Sequence, residues 1–218
     1  MKMRRIVFAT GNQGKLKEIK EIMKDIDVEV VSMKEADALV DVDETGMTFS
    51  ENAEIKAKSI AEFLKNRCEE QGKTFTDIVL ADDSGLEVDA LNKEPGIYSA
   101  RYMGEDTPYS EKNANIIERL DGVEVKDRSA RFVCAIAACV PNEDTIFTRA
   151  TIEGYIGYEE KGVNGFGYDP IFMVPEFNCT TAELTMEQKN QISHRGKALM
   201  EMKSLLMQKG FIHENLDC

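Results

Sequence analysis

RIVFATGNQGKLKEIKEIM, residues 5–23, sets a short β-branched apolar run directly before two glycines and a lysine. After them Leu16, Ile19, Ile22 and Met23 recur at helical spacing. The run reads as a buried strand and the spacing as an amphipathic helix. Gly11-Asn12-Gln13-Gly14-Lys15 then stands at a helix N-terminus, where the first amides lack intrahelical acceptors and carry partial positive charge. Glycines at such a place let an anion approach the backbone closely. The stretch is not a Walker A loop, because its glycines are too closely spaced and Leu16 stands where Ser or Thr would hold magnesium. By itself it is either an anion-binding loop or an ordinary βα turn that contains glycines.

Working outward, the pattern keeps alternating between strand and helix. Residues 28–31 predict a second short strand, and residues 37–46 (DALVDVDETG) an acidic loop. Thr48 with Glu51 makes a capping box, opening a helix whose Ala53, Ala57, Ile60, Ala61 and Leu64 lie on one stripe. Residues 78–81 predict a buried strand running into Asp82-Asp83. Residues 86–91 and 97–102 predict two strands around a Pro95-Gly96 turn, and residues 109–120 a helix. Residues 131–140 and 145–156 predict a hairpin about Pro141-Asn142. A glycine-rich loop, residues 162–169, is stopped by Pro170. Thr185 with Gln188 makes a second capping box, and Leu199, Met202, Leu205 and Leu206 give a terminal helix after Ser193 a core face. No repeat or linker interrupts the chain. The expectation is one mixed α/β domain over residues 1–218.

Composition narrows the partners. The 218 residues carry 40 acidic against 27 basic side chains, a formal net charge of −13, with 42% apolar content. That field repels nucleic acid and membrane phosphates, so any bound phosphate needs local cations or a metal. The apolar content suffices for one sizeable core. The five cysteines, Cys68, Cys134, Cys139, Cys179 and Cys218, show no CxxC spacing. They read as thiols in a reducing compartment rather than a disulfide frame or zinc site. The N-terminal apolar run is too short for a signal peptide, and no stretch reaches membrane length. The chain is expected in the cytoplasm.

The candidate chemistry is oxygen-rich. Asp82-Asp83-Ser84-Gly85 leaves an apolar strand with adjacent carboxylates that repel each other unless a cation is near. Such groups suit Mg²⁺, which takes one or two carboxylates and leaves positions for water and substrate phosphates. Asp43 and Glu44 add two more carboxylates in the acidic loop. Lys56 lies at the edge of its helix's apolar stripe, where it either snorkels or meets an anion. GFGYDP, residues 165–170, offers Phe166 and Tyr168 as flat faces between glycines, next to Asp169. They read either as base-stacking rings or as an aromatic plug of the core. Lys189, Ser193, His194 and Arg195 gather donors around the start of the last helix. Together these types describe a nucleoside triphosphate site with Mg²⁺.

In this combination the sequence resembles the inosine triphosphate pyrophosphatase family, the HAM1-like dITP/XTP pyrophosphatases. The matching blocks are ATGNQGKLKEI, DETGMTFSENAEIKA, ADDSGLEVDAL, PGIYSARY, ARFVCAIA, GFGYDPIF and AELTMEQKNQISHRGKAL, in the family's order. The resemblance implies an elongated α/β fold with a long central mixed sheet flanked by helices, and two lobes with the substrate in the cleft between them. It implies Mg²⁺-dependent hydrolysis of dITP, ITP and XTP to the monophosphate and pyrophosphate by a cytoplasmic homodimer. Carried over by motif, Thr10, Gly11, Asn12, Gln13, Gly14 and Lys15 match the triphosphate-binding stretch. Glu44 and Asp83 match the metal-associated carboxylates, Asp83 being also the general base. Ser84, Phe166, Gly167, Tyr168, Asp169, Lys189, His194 and Arg195 match positions lining the nucleotide pocket. Many relatives carry Glu-Glu where this chain has Asp43-Glu44. The shorter Asp43 could turn a direct metal contact into a water-mediated one.

The implied reaction is attack of an Asp83-activated water on the α-phosphorus, with pyrophosphate leaving in line. Hypoxanthine and xanthine present an O6 acceptor where adenine presents an amino donor, so donors from Lys189, His194 or Arg195 would pair with the former alone. A Maf-type or other house-cleaning pyrophosphatase would share the metal chemistry but not the ordered blocks. A non-catalytic nucleotide sensor would have little use for Asp82-Asp83.

Overall fold

The computed structural model describes residues 4–215; Cys218 lies outside them. A seven-stranded sheet has the order β2-β1-β3-β4-β5-β6-β7. Its strands are β1 (Arg4–Phe8), β2 (Val28–Ser32), β3 (Ile78–Val88), β4 (Ser129–Cys139), β5 (Ile146–Ile156), β6 (Phe172–Val174) and β7 (Cys179–Thr180). β1 pairs parallel with β2 and β3, whereas β5–β6 and β6–β7 are antiparallel, so the sheet is mixed as expected. The helices are α1 (Gln13–Ile22), α2 (Phe49–Glu70), α3 (Tyr109–Arg119), α4 (Met186–Ile192) and α5 (His194–Gln208). No helix among the described residues is long and apolar enough to cross a membrane. Cys68, Cys134, Cys139 and Cys179 are thiols, as expected from their spacing.

The chain forms two compact units. The first comprises residues 1–83, 135–149 and 198–218, and the second residues 84–134 and 150–197. In the first, the α2 stripe packs on the sheet as its spacing predicts: Ala53, Ala57, Ile60 and Leu64 are buried with Val7, Ala9, Val79, Ala81 and Ala137. Small alanines on that face let the helix backbone lie close to the strands. Both capping boxes form, Thr48 with Glu51 at α2 and Thr185 with Gln188 at α4. Such a cap stabilises its helix by about 1 kcal/mol. In the second unit the core gathers Leu86, Val88, Ile116, Leu120, Phe132, Ile152, Ile156, Ile171 and Phe172. Arg128, 1% exposed, is fixed there by donating to the carbonyls of Leu120, Ile156 and Gly157.

Two strand expectations are corrected. Residues 78–81 and 86–88 are not separate: β3 runs unbroken for 11 residues through Asp82-Asp83-Ser84-Gly85, and the expected strand stops short because Asp89–Leu91 is a 3-10 turn. Strand pairing uses the backbone alone, and the two acidic side chains find partners on other elements. Residues 97–102 form no strand; Gly96–Tyr98 is a 3-10 turn. Gly96 has φ 56, which turns the chain, and the Ser99 hydroxyl donates to the Gly96 carbonyl at 2.6 Å.

Candidate active-site residues

In the first unit the loop after β1 is built by Asn12, the N-cap of α1. Its side chain accepts from the amides of Gly14 at 2.8 Å and Lys15 at 3.2 Å, while Thr10 Oγ1 accepts from the Asn12 amide at 3.1 Å. Two of the first-turn amides expected to wait for an anion are therefore satisfied by the chain's own cap. Gly11 is different, because a Cβ built on it meets no atom within 4 Å. Neither packing nor a left-handed φ requires glycine there. Thr10, Gly11 and Gln13 line a depression of about 390 Å³ together with Ser32, Lys34 and Glu35.

β3 separates the two aspartates. Successive strand side chains point to opposite faces. Val79 and Ala81 face α2, and Asp83 therefore does too, while Asp82 faces the other way. Asp82, 1% exposed, receives Lys15 Nζ at 3.1 Å from Oδ1 and 3.0 Å from Oδ2. Asp83, 7% exposed, accepts a hydrogen bond from Asn52 Nδ2 at 3.2 Å. Burial pushes the Asp83 carboxyl up to about 6, with Glu44 adding to the rise, and Lys56 and Lys15 opposing it. Lys56 meets anions instead of snorkelling: its Nζ lies 2.7 Å from Glu44 Oε1 and donates to the Asp82 carbonyl at 3.2 Å. These neighbours raise the Lys56 pKa against the opposing effect of burial, which is the largest single influence on it. Of the acidic pair before α2, Glu44 is half-buried against Lys56, whereas Asp43 is exposed.

The second unit gathers the remaining residues. Asp169 Oδ2 accepts from Lys189 Nζ at 2.7 Å and from the Phe166 amide at 2.7 Å, and Oδ1 from Thr181 Oγ1 at 2.8 Å. The loop is folded around this carboxylate. Gly165 has φ 75, and a Cβ on it would lie 2.2 Å from Asp169 Oδ2, so glycine is required there. Phe166 is half-buried, with Lys189 Nζ 4.8 Å and Arg195 Cζ 5.5 Å from its ring centre. Arg195 also donates to Ser84 Oγ at 3.1 Å. Of the two readings of this loop, Tyr168 follows the core-plug one. It is 3% exposed, packs edge-on against Tyr109, and donates its hydroxyl to the Ser99 carbonyl at 2.8 Å. Burial pushes its phenol well above the usual range. His194, 5% exposed, stacks on Phe132 with ring centres 4.9 Å apart.

The sequence thus brings Glu44, Lys56 and Asp83 to one cluster, with Lys15 on Asp82 beside it, and Ser84, Phe166, Asp169, Lys189 and Arg195 to another. Reasoning from sequence missed Asn52, Thr181 and Phe132. Asn52 had a readable signal, since it stands one turn before Lys56 on the same helix. Thr181 and Phe132 carried none. Among the described residues no three His, Cys, Asp or Glu side chains gather as a metal cage. A half-buried Glu44 and a buried, electrostatically strained Asp83 do suit a hard cation that takes one or two carboxylates and completes its shell with water and phosphate oxygens.

Comparisons with known proteins show the family to which the chain belongs. The model of the Ham1 family matches residues 6–205. A dITP/XTP pyrophosphatase of Exiguobacterium sibiricum is 45% identical over 202 residues, covering 93% of this chain and 96% of that protein. One from Bacillus subtilis is 43% identical over 204 residues, 94% and 98% of the two chains. Among solved structures, the Ham1 protein of Staphylococcus aureus is 42% identical with TM-score 0.80, covering 94% of this chain and 100% of that one. A HAM1 protein from Coxiella burnetii is 40% identical with TM-score 0.80, over 94% and 100%. The chain belongs to the Ham1 family.

Proposed function

We infer that this protein hydrolyses dITP, ITP and XTP to the nucleoside monophosphate and pyrophosphate, removing deaminated purines from the nucleotide pool. The observation that carries the reading is the Asp83 environment: a buried carboxylate bonded to Asn52 Nδ2 at 3.2 Å, with the Glu44–Lys56 pair beside it. The printed names of the relatives, dITP/XTP pyrophosphatase, supply the substrate class. A buried carboxylate held in a fixed direction is suited to take a proton from a water placed against it.

Lys15 and Lys56, with Gly11 and Asn12 of the loop, take the triphosphate. Asp83 accepts a proton from a water, whose oxygen bonds to the α-phosphorus as the bond to the bridging αβ-oxygen breaks. Pyrophosphate then leaves with the electron pair. Mg²⁺, held by Glu44 and Asp83, would supply charge neutralisation at the phosphate oxygens. Lys189, directed by Asp169, and Arg195, directed by Ser84, present donors to the O6 of the base, and Phe166 offers it a face. Adenine would leave those donors unpaired, which rejects it strongly. The same reading places the enzyme in the cytoplasm as a homodimer. Pyrophosphate release with Mg²⁺ from dITP, ITP, XTP, GTP, ATP and dUTP, with the monophosphate identified, tests it. Release from the first three is expected; orthophosphate as product, or no turnover, would refute the reaction.

A further inference from the structure

Asn52 is fully buried in the first turn of α2 and bonded at both ends. Its Oδ1 accepts from the Gly46 amide at 2.8 Å, and its Nδ2 donates to Asp83 Oδ2 at 3.2 Å. The amide cannot be reversed, because a backbone N–H at one end demands the oxygen there and so turns the NH₂ toward the carboxylate. Gly46 is held in close approach. A Cβ on it would lie 2.7 Å from Asn52 Oδ1, 2.7 Å from Glu51 Cβ and 2.9 Å from the Asn52 amide nitrogen. Glu51 of the capping box binds the next two amides, Met47 at 2.7 Å and Thr48 at 3.1 Å. The segment that carries Glu44 is therefore pinned to the helix two residues after Glu44. One turn further along α2, Lys56 grips Glu44 and the carbonyl preceding Asp83.

We propose that Asn52 is a positioning residue for the reaction, a two-ended clamp that sets the Asp83 carboxylate and the Glu44 segment in one fixed arrangement. The proposal rests on the pyrophosphatase reading above. By holding Oδ2, Asn52 sets the direction of the other carboxylate oxygen. By holding Gly46, it sets where Glu44 meets Lys56. An aspartate in its place would keep an acceptor for Gly46 and lose the donor to Asp83. A leucine would lose both while filling similar space.

The test compares Asn52→Asp and Asn52→Leu with the unsubstituted chain by kcat and KM for dITP, thermal melting, and hydrogen exchange at the Gly46 amide. The clamp predicts that kcat falls roughly 10²-fold in both variants, the loss typical of a misdirected reacting group. KM should stay within about threefold of the parent, because the proposed phosphate ligands are untouched. Gly46 should remain protected in Asn52→Asp and exchange freely in Asn52→Leu. A kcat for Asn52→Asp near the parent's, or a loss in both variants that follows only the unfolded fraction, would overturn the proposal. If the parent itself releases no pyrophosphate, the functional reading fails separately. Gly46 exchange then decides: the split between the two variants supports the clamp, and equal rates in all three chains overturn it.

Discussion

Lys15 and Asp82 form a two-oxygen clasp, with Nζ 3.0 Å from Oδ2 and 3.1 Å from Oδ1, between the first helix turn and a buried strand position 67 residues away. The cation of the phosphate loop thus has a structural partner before any ligand arrives, and its role in binding must be separated from its role in folding.

Lys15→Ala should destabilise the protein by about 2 kcal/mol, the scale for a hydrogen bond to a charged group, as read by denaturant unfolding. Adding Asp82→Asn should restore much of that stability, because the remaining group is neutral. The KM for dITP should stay elevated in the double variant. Recovery of KM together with stability would show that Lys15 does not meet the triphosphate.

The glycines of the two loops should respond in opposite ways. Gly11→Ala, with open space around its Cβ, should leave stability within about 0.5 kcal/mol and raise the KM for dITP. Gly46→Ala forces a carbon against Asn52 and Glu51 and should cost about 2 kcal/mol. Denaturation midpoints and Michaelis curves for the two variants check the contrast.

Asp83 makes stability depend on pH in the metal-free protein. Its folded pKa is raised from the ordinary 3.8 to about 6. Below pH 4 both states are protonated and nothing is lost. Between those values the unfolded chain releases the proton while the folded one keeps it, so stability falls as pH rises, and above about 6 the loss is complete. The gap corresponds to about 3 kcal/mol. Asp83→Asn should therefore raise the melting temperature at pH 8 by several degrees and leave it unchanged near pH 3, while abolishing pyrophosphate release. Equal melting shifts at both pH values would mean that burial does not strain this carboxylate.

Lys189 and Asp169 form a buried pair at 2.7 Å, their side chains 8% and 4% exposed. Lys189→Met should destabilise by about 3 kcal/mol, since it leaves a buried carboxylate without its cation. It should also lower the preference for dITP over dATP by on the order of 10²-fold, with a smaller change in phosphate affinity. Competition assays between the two nucleotides measure the ratio. An equal loss for both would remove Lys189 from base recognition.

Much of the fold was legible because its signals are local. The helical spacing after Gly14, the Thr48 and Thr185 boxes and the apolar stripe of α2 are each read within a few residues, and each forms as expected. The errors fell where a local cue had a distant answer. Asp82-Asp83 looked like the end of a strand, yet β3 continues because Lys15 and Asn52, 67 and 31 residues away, accommodate the charges. The glycines of residues 162–169 mark one loop, which carries Gly165, Phe166 and Tyr168 up to Asp169. Nothing local could show that the tyrosine enters the core while the phenylalanine meets Lys189 and Arg195.

The sequence by itself determined the alternation of strands and helices, the acidic field that requires local cations for any phosphate, and the ordered blocks of the family. Periodicity, caps and charge are properties of neighbouring residues and need no partner. Only the tertiary structure decided which side chain answers which charge. Strand alternation sends Asp82 to Lys15 and Asp83 to Asn52, while in the loop before α2 Lys56 meets Glu44 and Asp43 stays exposed. A buried polar group must be paired, and its partner is whatever segment folding brings to it.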